Sequence, residues 1–403
     1  MKTITIPTNR LGLWSVLPVM LLLCGFQLPQ NIEVNYSRNR EIVVRFPDIL
    51  TLIRMSDGLS DHIASCSFIQ LETNPQCRIG EITKTLIYKE RLYILERGRT
   101  QSVFIFDLQG KWISTLPKIG QGSDEYQLLT DIFIDPNHET LNLVDSKNKK
   151  IMRFNLDGET LLGAQYVIGS IDCAEKLEEG ILTYTNSPST LGKDNPRITY
   201  YKDSAMQTPG YTALPIAKGW EDIIQYPGNE LWNHNGEIYY PEPLHNKIYK
   251  LEKDSIFLIY TFDFKRLNPV REITFTEFLE IDPKDRKLKI QHIGRFSPLR
   301  NGFVIEVNYE SSNKLVFITN NTKKIEPYVI SVNPLVKPLT FGYSVGLTNG
   351  LLITQIMPRQ IGYWINNPEY ATKYPEATKI IRRDIRRPVT EEDNPILCLY
   401  RLR

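Results

Sequence analysis

Short apolar runs come in pairs along this chain, the two members joined by a polar turn and the pair followed by a turn rich in Asp, Asn or Gly. Leu92-Tyr93-Ile94-Leu95 leads to Val103-Phe104-Ile105-Phe106-Asp107, and Leu108-Gln109-Gly110-Lys111 closes the unit. Leu141-Asn142-Leu143-Val144-Asp145 leads in the same way to Ile151-Met152-Arg153-Phe154-Asn155, closed by Leu156-Asp157-Gly158-Glu159. Runs of this length, rich in β-branched and aromatic residues and bounded by turn formers, predict strands. Weaker copies pair Ile181-Leu182-Thr183-Tyr184 with Ile198-Thr199-Tyr200-Tyr201, and Ile238-Tyr239-Tyr240 with Lys247-Ile248-Tyr249-Lys250-Leu251. The turn positions Gly110, Gly158, Ser204 and Asp254 are spaced by 48, 46 and 50 residues.

A fifth copy pairs Phe303-Val304-Ile305-Glu306-Val307 with Lys314-Leu315-Val316-Phe317-Ile318, after a step of 67 residues from Asp254 to Asn321. The longer step predicts an insertion of about twenty residues relative to the period of the earlier units, placed at the helix-like Phe275-Thr276-Glu277-Phe278-Leu279-Glu280. A sixth begins at Leu351-Leu352-Ile353-Thr354 and ends at Ile396-Leu397-Cys398-Leu399-Tyr400, with a polar excursion between that leaves the sheet. A repeat of about 40 to 50 residues built from short strands is the mark of a β-propeller. The expected fold class is therefore all-β, a six-bladed β-propeller of four-stranded antiparallel blades with a few helical or loop insertions. One blade cannot cover both of its apolar faces, so the blades must close a ring. The strand expected to close it, by pairing with the blade of Ile396 to Tyr400, is Ile42-Val43-Val44-Arg45-Phe46.

The length of 403 residues suits such a closed repeat, and 41% hydrophobic with 23% charged residues is a globular composition. With 48 Lys+Arg against 46 Asp+Glu, the chain lacks the concentrated basic excess of a nucleic-acid binder, and no nucleic-acid partner is expected. Residues 11–26 form an uncharged apolar stretch after Lys2 and Arg10, the layout of a secretory signal. Pro18 and the short length argue against a spanning helix. Cys24 stands at the end of the stretch as in a bacterial lipoprotein signal, although Leu23 occupies the position that usually holds a small residue. Acylation of Cys24, simple cleavage and a retained anchor all remain open. The organisation expected is a signal or lipoprotein signal over residues 1–30, an extension over 31–60 that supplies the closing strand, and the propeller over 61–403. The compartment expected is the cell envelope, periplasm or outer membrane, or the medium, with membrane association only through the N-terminus or a lipid anchor.

Cys66, Cys77, Cys173 and Cys398 form no zinc-type spacing and are read as buried small side chains. Cys66 and Cys77 flank one turn, and an exported chain could join them.

Phe68-Ile69-Gln70-Leu71-Glu72-Thr73, Ile79-Gly80-Glu81-Ile82, the strand and turn from Val103 to Lys111, Gly120-Gln121-Gly122-Ser123-Asp124-Glu125-Tyr126 and the terminal Asp393-Asn394-Pro395-Ile396-Leu397 together resemble the six-bladed β-propeller proteins of gut Bacteroidetes. The resemblance runs from about Ile42 to the C-terminus. It implies an envelope-associated or secreted propeller related to NHL-type repeats, commonly a lipoprotein, in a family with no established activity. The family's loop usually reads G-x-G-P-G-E-Y, and here Ser123 and Asp124 replace Pro-Gly, exchanging a preset turn for one made by side-chain hydrogen bonds.

The candidate ligand-binding residues are Gly120, Gly122, Glu125, Tyr126 and Asp131, at a channel mouth formed by the blade-connecting loops; the plainer reading of the glycines is a connection between blades. The loop lacks the Lys-Ser/Thr of a P-loop, and no βαβ unit surrounds it, so nucleotide binding is discarded. Asp131 and Asp145 sit at strand ends, where an acid faces the axis or ends the strand by bonding turn backbone. His62, His138, His234, His245 and His292 are scattered and read as surface or capping residues. No G-x-S-x-G elbow is present. The basic run Ile381-Arg382-Arg383-Asp384-Ile385-Arg386-Arg387, answered by Glu391-Glu392-Asp393, reads as a solvated charged loop. Trp220, Tyr226 and Trp232 are candidates for stacking on a sugar or peptide. The expected function is a binding or interaction module for a glycan, a peptide or an envelope protein, with no catalytic residues, no metal ligands and no cofactor assigned. The alternative is a lactonase- or lyase-type enzyme with a metal such as calcium in the channel.

Overall fold

The computed structural model describes residues 35–37, 41–45, 63–116, 119–186, 196–203, 205–215, 231–242, 245–264, 275–287, 292–300, 302–309, 312–321, 324–330, 342–348 and 350–403. The leader with Cys24, and His62, Trp220 and Tyr226, lie outside them.

Three strands open the chain: β1 (Asn35–Ser37), β2 (Ile42–Arg45) and β3 (Ile63–Gln70). The first blade is β4 (Lys84–Tyr88), β5 (Arg91–Glu96), β6 (Ser102–Asp107) and β7 (Trp112–Leu116). The second is β8 (Leu129–Asp135), β9 (Thr140–Asp145), β10 (Lys150–Asn155) and β11 (Leu161–Tyr166), and the third β12 (Cys173–Lys176), β13 (Ile181–Tyr184), β14 (Pro196–Tyr201) and β15 (Pro209–Pro215). The fourth is β16 (Trp232–His234), β17 (Glu237–Pro241), β18 (Lys247–Leu251) and β19 (Ser255–Asp263). Two helices, α1 (Phe275–Glu280) and α2 (Pro283–Lys287), follow where the long step between units predicts an insertion. The fifth blade is β20 (His292–Leu299), β21 (Gly302–Tyr309), β22 (Ser312–Asn321) and β23 (Lys324–Ile330). The sixth begins with β24 (Tyr343–Thr348) and β25 (Leu351–Ile356), breaks for α3 (Pro358–Ile365), α4 (Pro368–Lys373) and α5 (Pro375–Asp384), and resumes with β26 (Ile396–Leu402).

Five blades are antiparallel meanders of four consecutive strands, the sixth is completed by a strand from the other end of the chain, and the six stand in a ring around a central axis as a six-bladed β-propeller. The paired apolar runs of the sequence are the second and third strands of every blade. These strands are covered on both faces, so they read as continuous apolar runs with side chains pointing alternately to two neighbours. In β5, Leu92 and Ile94 pack toward the sixth blade, while Tyr93 and Leu95 pack toward the second. Six hydrophobic clusters result among the described residues, one between each pair of adjacent blades. Gly110 and Gly158 end the third strands of the first two blades with φ of +81° and +72°. A Cβ on Gly110 would lie 2.4 Å from the Gln70 carbonyl oxygen, so the turn is pressed against the closing strand.

Closure differs from the expectation. The strand that pairs antiparallel with β26 is β3, with Leu397 opposite Ile69 and Tyr400 opposite Cys66. Ile42 to Arg45 instead pairs parallel with β19, and with β1 it widens the outer edge of the fourth blade. The eight-residue β3 offers a full edge to β26, and Ile63, Cys66 and Phe68 fill the cluster there. In β2, Val44 is buried while Ile42 and Val43 are exposed.

The basic run is likewise not a solvated loop. Its first half is the end of α5, and Ile381 and Ile385 are buried against the sixth blade. Arg383 donates to the Cys66 carbonyl, the Phe68 amide donates to Asp384 Oδ2 at 2.9 Å, and Arg387 donates to the Gln70 and Leu71 carbonyls. Cys66, Phe68 and Gln70, alternate residues along the outer edge of β3, thus find partners in the insertion, which covers that stretch of the edge.

Candidate functional site

The first strand of each blade lines the axis, and there the apolar pattern breaks. Lys84 of β4, Asp131 of β8 and Glu175 of β12 all turn inward and are nearly fully buried. Lys84 Nζ donates to Asp131 Oδ1 at 2.9 Å and to Glu175 Oε1 at 3.1 Å. Glu175 Oε2 accepts from Asn233 Nδ2 of β16 at 3.3 Å, and Asp131 accepts from the Ile132 and Ala174 amides at 2.8 and 3.2 Å. One hydrogen-bonded network therefore joins four consecutive blades. A register shift between Leu129 and Asp131 gives β8 a bulge, the device that re-aims a side chain within a ladder.

Burial works against all three charges, and their mutual contacts decide the outcome. It pushes the Lys84 ammonium toward neutrality, but two carboxylates overcompensate and hold its pKa above the ordinary lysine value. Burial raises Asp131 and Glu175 above the usual carboxyl range, and the shared ammonium only partly reverses this; the Asp131 charge raises Glu175 further. One cation serves two anions, so the carboxyls are under-compensated where the lysine is over-compensated.

Beside this network lies a cavity of about 620 Å³, lined by Lys84, Glu175, Tyr88, Asn137, Leu177, Trp232, Asn233, Asn235 and Leu347 among others. It extends to the turns that join the first and second strands of the blades, at Asn137, Glu178 and Gly236. Trp232 is 8% exposed, with the Arg295 guanidinium 5.2 Å from its ring centre and Glu306 holding that guanidinium at 3.1 Å.

Of the residues singled out in the sequence, Asp131 belongs to the axial network. Gly120, Gly122, Glu125 and Tyr126 lie together in the loop from β7 to β8, which enters the axis from the end opposite Asn137. That loop is closed on itself: the Gly120 amide donates to the Tyr126 carbonyl at 2.9 Å and the Gly122 amide to Glu125 Oε2 at 2.7 Å. The Tyr126 ring is fully buried, its hydroxyl within hydrogen-bond distance of the Gln101 and Leu116 carbonyls. Asp145 accepts from the Gln127, Leu128 and Asn148 amides as a turn cap. His138 bonds Asp135 at 2.8 Å, and His234 is half-buried with its pKa lowered by burial, 3.4 Å from Ser297. Lys84, Glu175 and Asn233 were not singled out, because a lysine or glutamate in a short run carries no mark of facing an axis. The available signal was their place one strand before each apolar pair.

Among the described residues no cluster of three or more His, Cys, Asp or Glu is placed to hold a metal, and no helix is long and apolar enough to cross a membrane.

The sequence profile of a family described as a domain of unknown function, DUF4934, matches residues 53–401. The chain belongs to the DUF4934 family. A search among curated proteins finds no match. Among solved structures, an exported-protein candidate of Bacteroides fragilis is similar at 15% identity and a TM-score of 0.68, over 90% of this chain and 99% of that one. A DUF4221 member from Bacteroides vulgatus is 9% identical with a TM-score of 0.49, over 85% and 97% of the two chains. PorZ of Porphyromonas gingivalis, a surface component of the type-IX secretion system, is 10% identical with a TM-score of 0.35, over 68% of this chain and 29% of its own. The first likeness bears on the fold alone, and the other two carry no weight. The expectation of a six-bladed β-propeller with Bacteroidetes neighbours in structure, in a family of unassigned function, holds.

Proposed function

We propose that this DUF4934 protein is an exported, envelope-associated binding module that takes a glycan or peptide into the axial cavity at the hairpin-turn end. The observation that carries the reading is a cavity of about 620 Å³, within the usual range for ligand pockets. Its wall mixes apolar side chains with the side-chain amides of Asn137 and Asn235, groups that both donate to and accept from hydroxyls or peptide units. The metal-enzyme alternative is weaker on chemistry: Lys84 Nζ already occupies the space between Asp131 and Glu175, where a cation would sit. Export rests on the basic and apolar leader with Cys24. Recovery of the mature chain from the envelope fraction, beginning at Cys24 or a few residues beyond it, tests it, and an intact N-terminus in the cytosol overturns it. For binding, the full chain is screened on glycan and peptide arrays beside Asn137→Trp, which fills the cavity mouth. Hits lost in the variant support the reading; a silent array, or hits that the variant retains, sinks it.

A further inference from the structure

Cys66 and Cys398 meet at the seam where the ring closes. Cys66 lies on β3 and Cys398 on β26, 332 positions apart, and their sulfurs are 3.2 Å from each other in the buried cluster between the fifth and sixth blades. They are diagonal neighbours in the antiparallel ladder, because Cys66 stands opposite Tyr400 and Cys398 opposite Phe68. A bond between the sulfurs requires a separation of about 2.05 Å, so the two must approach by roughly 1 Å, and for diagonal neighbours that approach includes a shift of the β3 and β26 backbones. The pairing weighed in the sequence, Cys66 with Cys77, is not the one the fold brings together. Cys77 packs in the cluster between the sixth and first blades and donates to the Glu72 carbonyl at 3.3 Å. The two thiols therefore lie on opposite faces of the sixth sheet.

We propose that Cys66 and Cys398 are the site of a disulfide that locks the N-terminal closing strand to the C-terminal strand of the ring. The inference rests on the reading of the chain as exported, since disulfides persist in oxidising compartments. The oxidant is a disulfide, either glutathione disulfide or a Cys-x-x-Cys oxidoreductase. The thiolate of one cysteine attacks it and forms a mixed disulfide, releasing one oxidant thiol. As β3 docks on β26, the thiolate of the other attacks the mixed disulfide at the protein's sulfur and releases the second. Two thiols lose two protons and two electrons, and the oxidant disulfide becomes two thiols. Burial raises the Cys398 thiol well above its ordinary pKa, so thiolate chemistry belongs to the open seam, before α5 and the fifth blade cover it. Because the link spans almost the whole chain, it constrains the unfolded state strongly.

The full chain is refolded in glutathione and glutathione disulfide, its remaining thiols are alkylated, and its peptides are mapped by mass. The expected result is one joined pair of peptides containing Cys66 and Cys398, lighter by two hydrogens, with Cys77 and Cys173 alkylated on unfolding. Reduction is expected to lower the melting temperature by roughly 5 °C and to leave that of Cys398→Ala unchanged. Cys66 and Cys398 both alkylated after oxidation, or Cys66 joined to Cys77, overturns the proposal, and neither readout needs the variant to fold. The bond formed in the refolded chain, with the cellular protein retained in the cytosol, supports the pairing and removes the export reading alone.

Discussion

Lys84 holds two carboxylates, and the three side chains answer to substitution unequally. Lys84→Met leaves Asp131 and Glu175 buried without a cation, and is expected to cost about 3–5 kcal/mol in chemical denaturation. Glu175→Gln leaves a one-to-one pair, keeps an acceptor near Lys84 and is expected to stay within about 1 kcal/mol of the parent. Equal losses in the two variants would show that the network is not under-compensated in cations. The pH dependence follows from the same imbalance. Asp131 and Glu175 are raised in the folded chain, so the native state keeps protons that the unfolded chain releases above about pH 4. Their contribution is fully present below that point and is lost as pH rises through the higher folded values. Denaturation midpoints measured across the acid range should therefore show a smaller decline in Glu175→Gln than in the parent.

The elements that do most to close the ring include a short turn and a helical insertion, neither of which is a blade strand. Asn394 is buried just before β26; its Oδ1 accepts from the Ile79 amide at 2.8 Å, and its Nδ2 donates to the Glu72 and Cys77 carbonyls at 2.6 and 2.7 Å. The residue belongs to the Asp-Asn-Pro motif that marks the family resemblance, and its work here is to tie the last strand to the segment between β3 and β4. Asn394→Ala strands two buried backbone groups, the Ile79 amide and the Cys77 carbonyl, and leaves the Glu72 carbonyl with the Cys77 thiol; it is expected to cost about 2–4 kcal/mol, read as a lower denaturation midpoint with unchanged slope, and a loss under about 0.5 kcal/mol would mean that the ties are dispensable. The run from Ile381 to Arg387 was legible as charged but not as structural. Alternating charge is what a solvated loop shows, and only the placement of α5 along β3 gives Arg383, Asp384 and Arg387 backbone partners.

For the molecule as a whole, closure is the property on which folding turns, and the two N-terminal strand segments contribute to it differently. Deleting residues 63–70 removes β3, uncovers β26 and empties the seam of Ile63, Cys66 and Phe68, so cooperative unfolding is expected to be lost. Deleting residues 31–60 removes β1 and β2 from the rim of the fourth blade, where Val44 is buried and Ile42 and Val43 are exposed, and is expected to lower the melting temperature by a few degrees while keeping one transition. Calorimetry of both truncations checks the contrast; equal damage would return the closing role to β2.

The six units, their two inner strands, the turn glycines and the places of both insertions were all legible along the chain, because strands covered on two sides must be apolar throughout and tight turns need particular residues. Which strand closed the ring was not, since Ile42 to Arg45 and Ile63 to Gln70 are both good strands and the choice depends on what each buries after the blades assemble. Nor was the axial network. Lys84, Asp131 and Glu175 lie 47 and 44 residues apart in order, nothing local links them, and their charges come into contact only because six first strands converge on one axis.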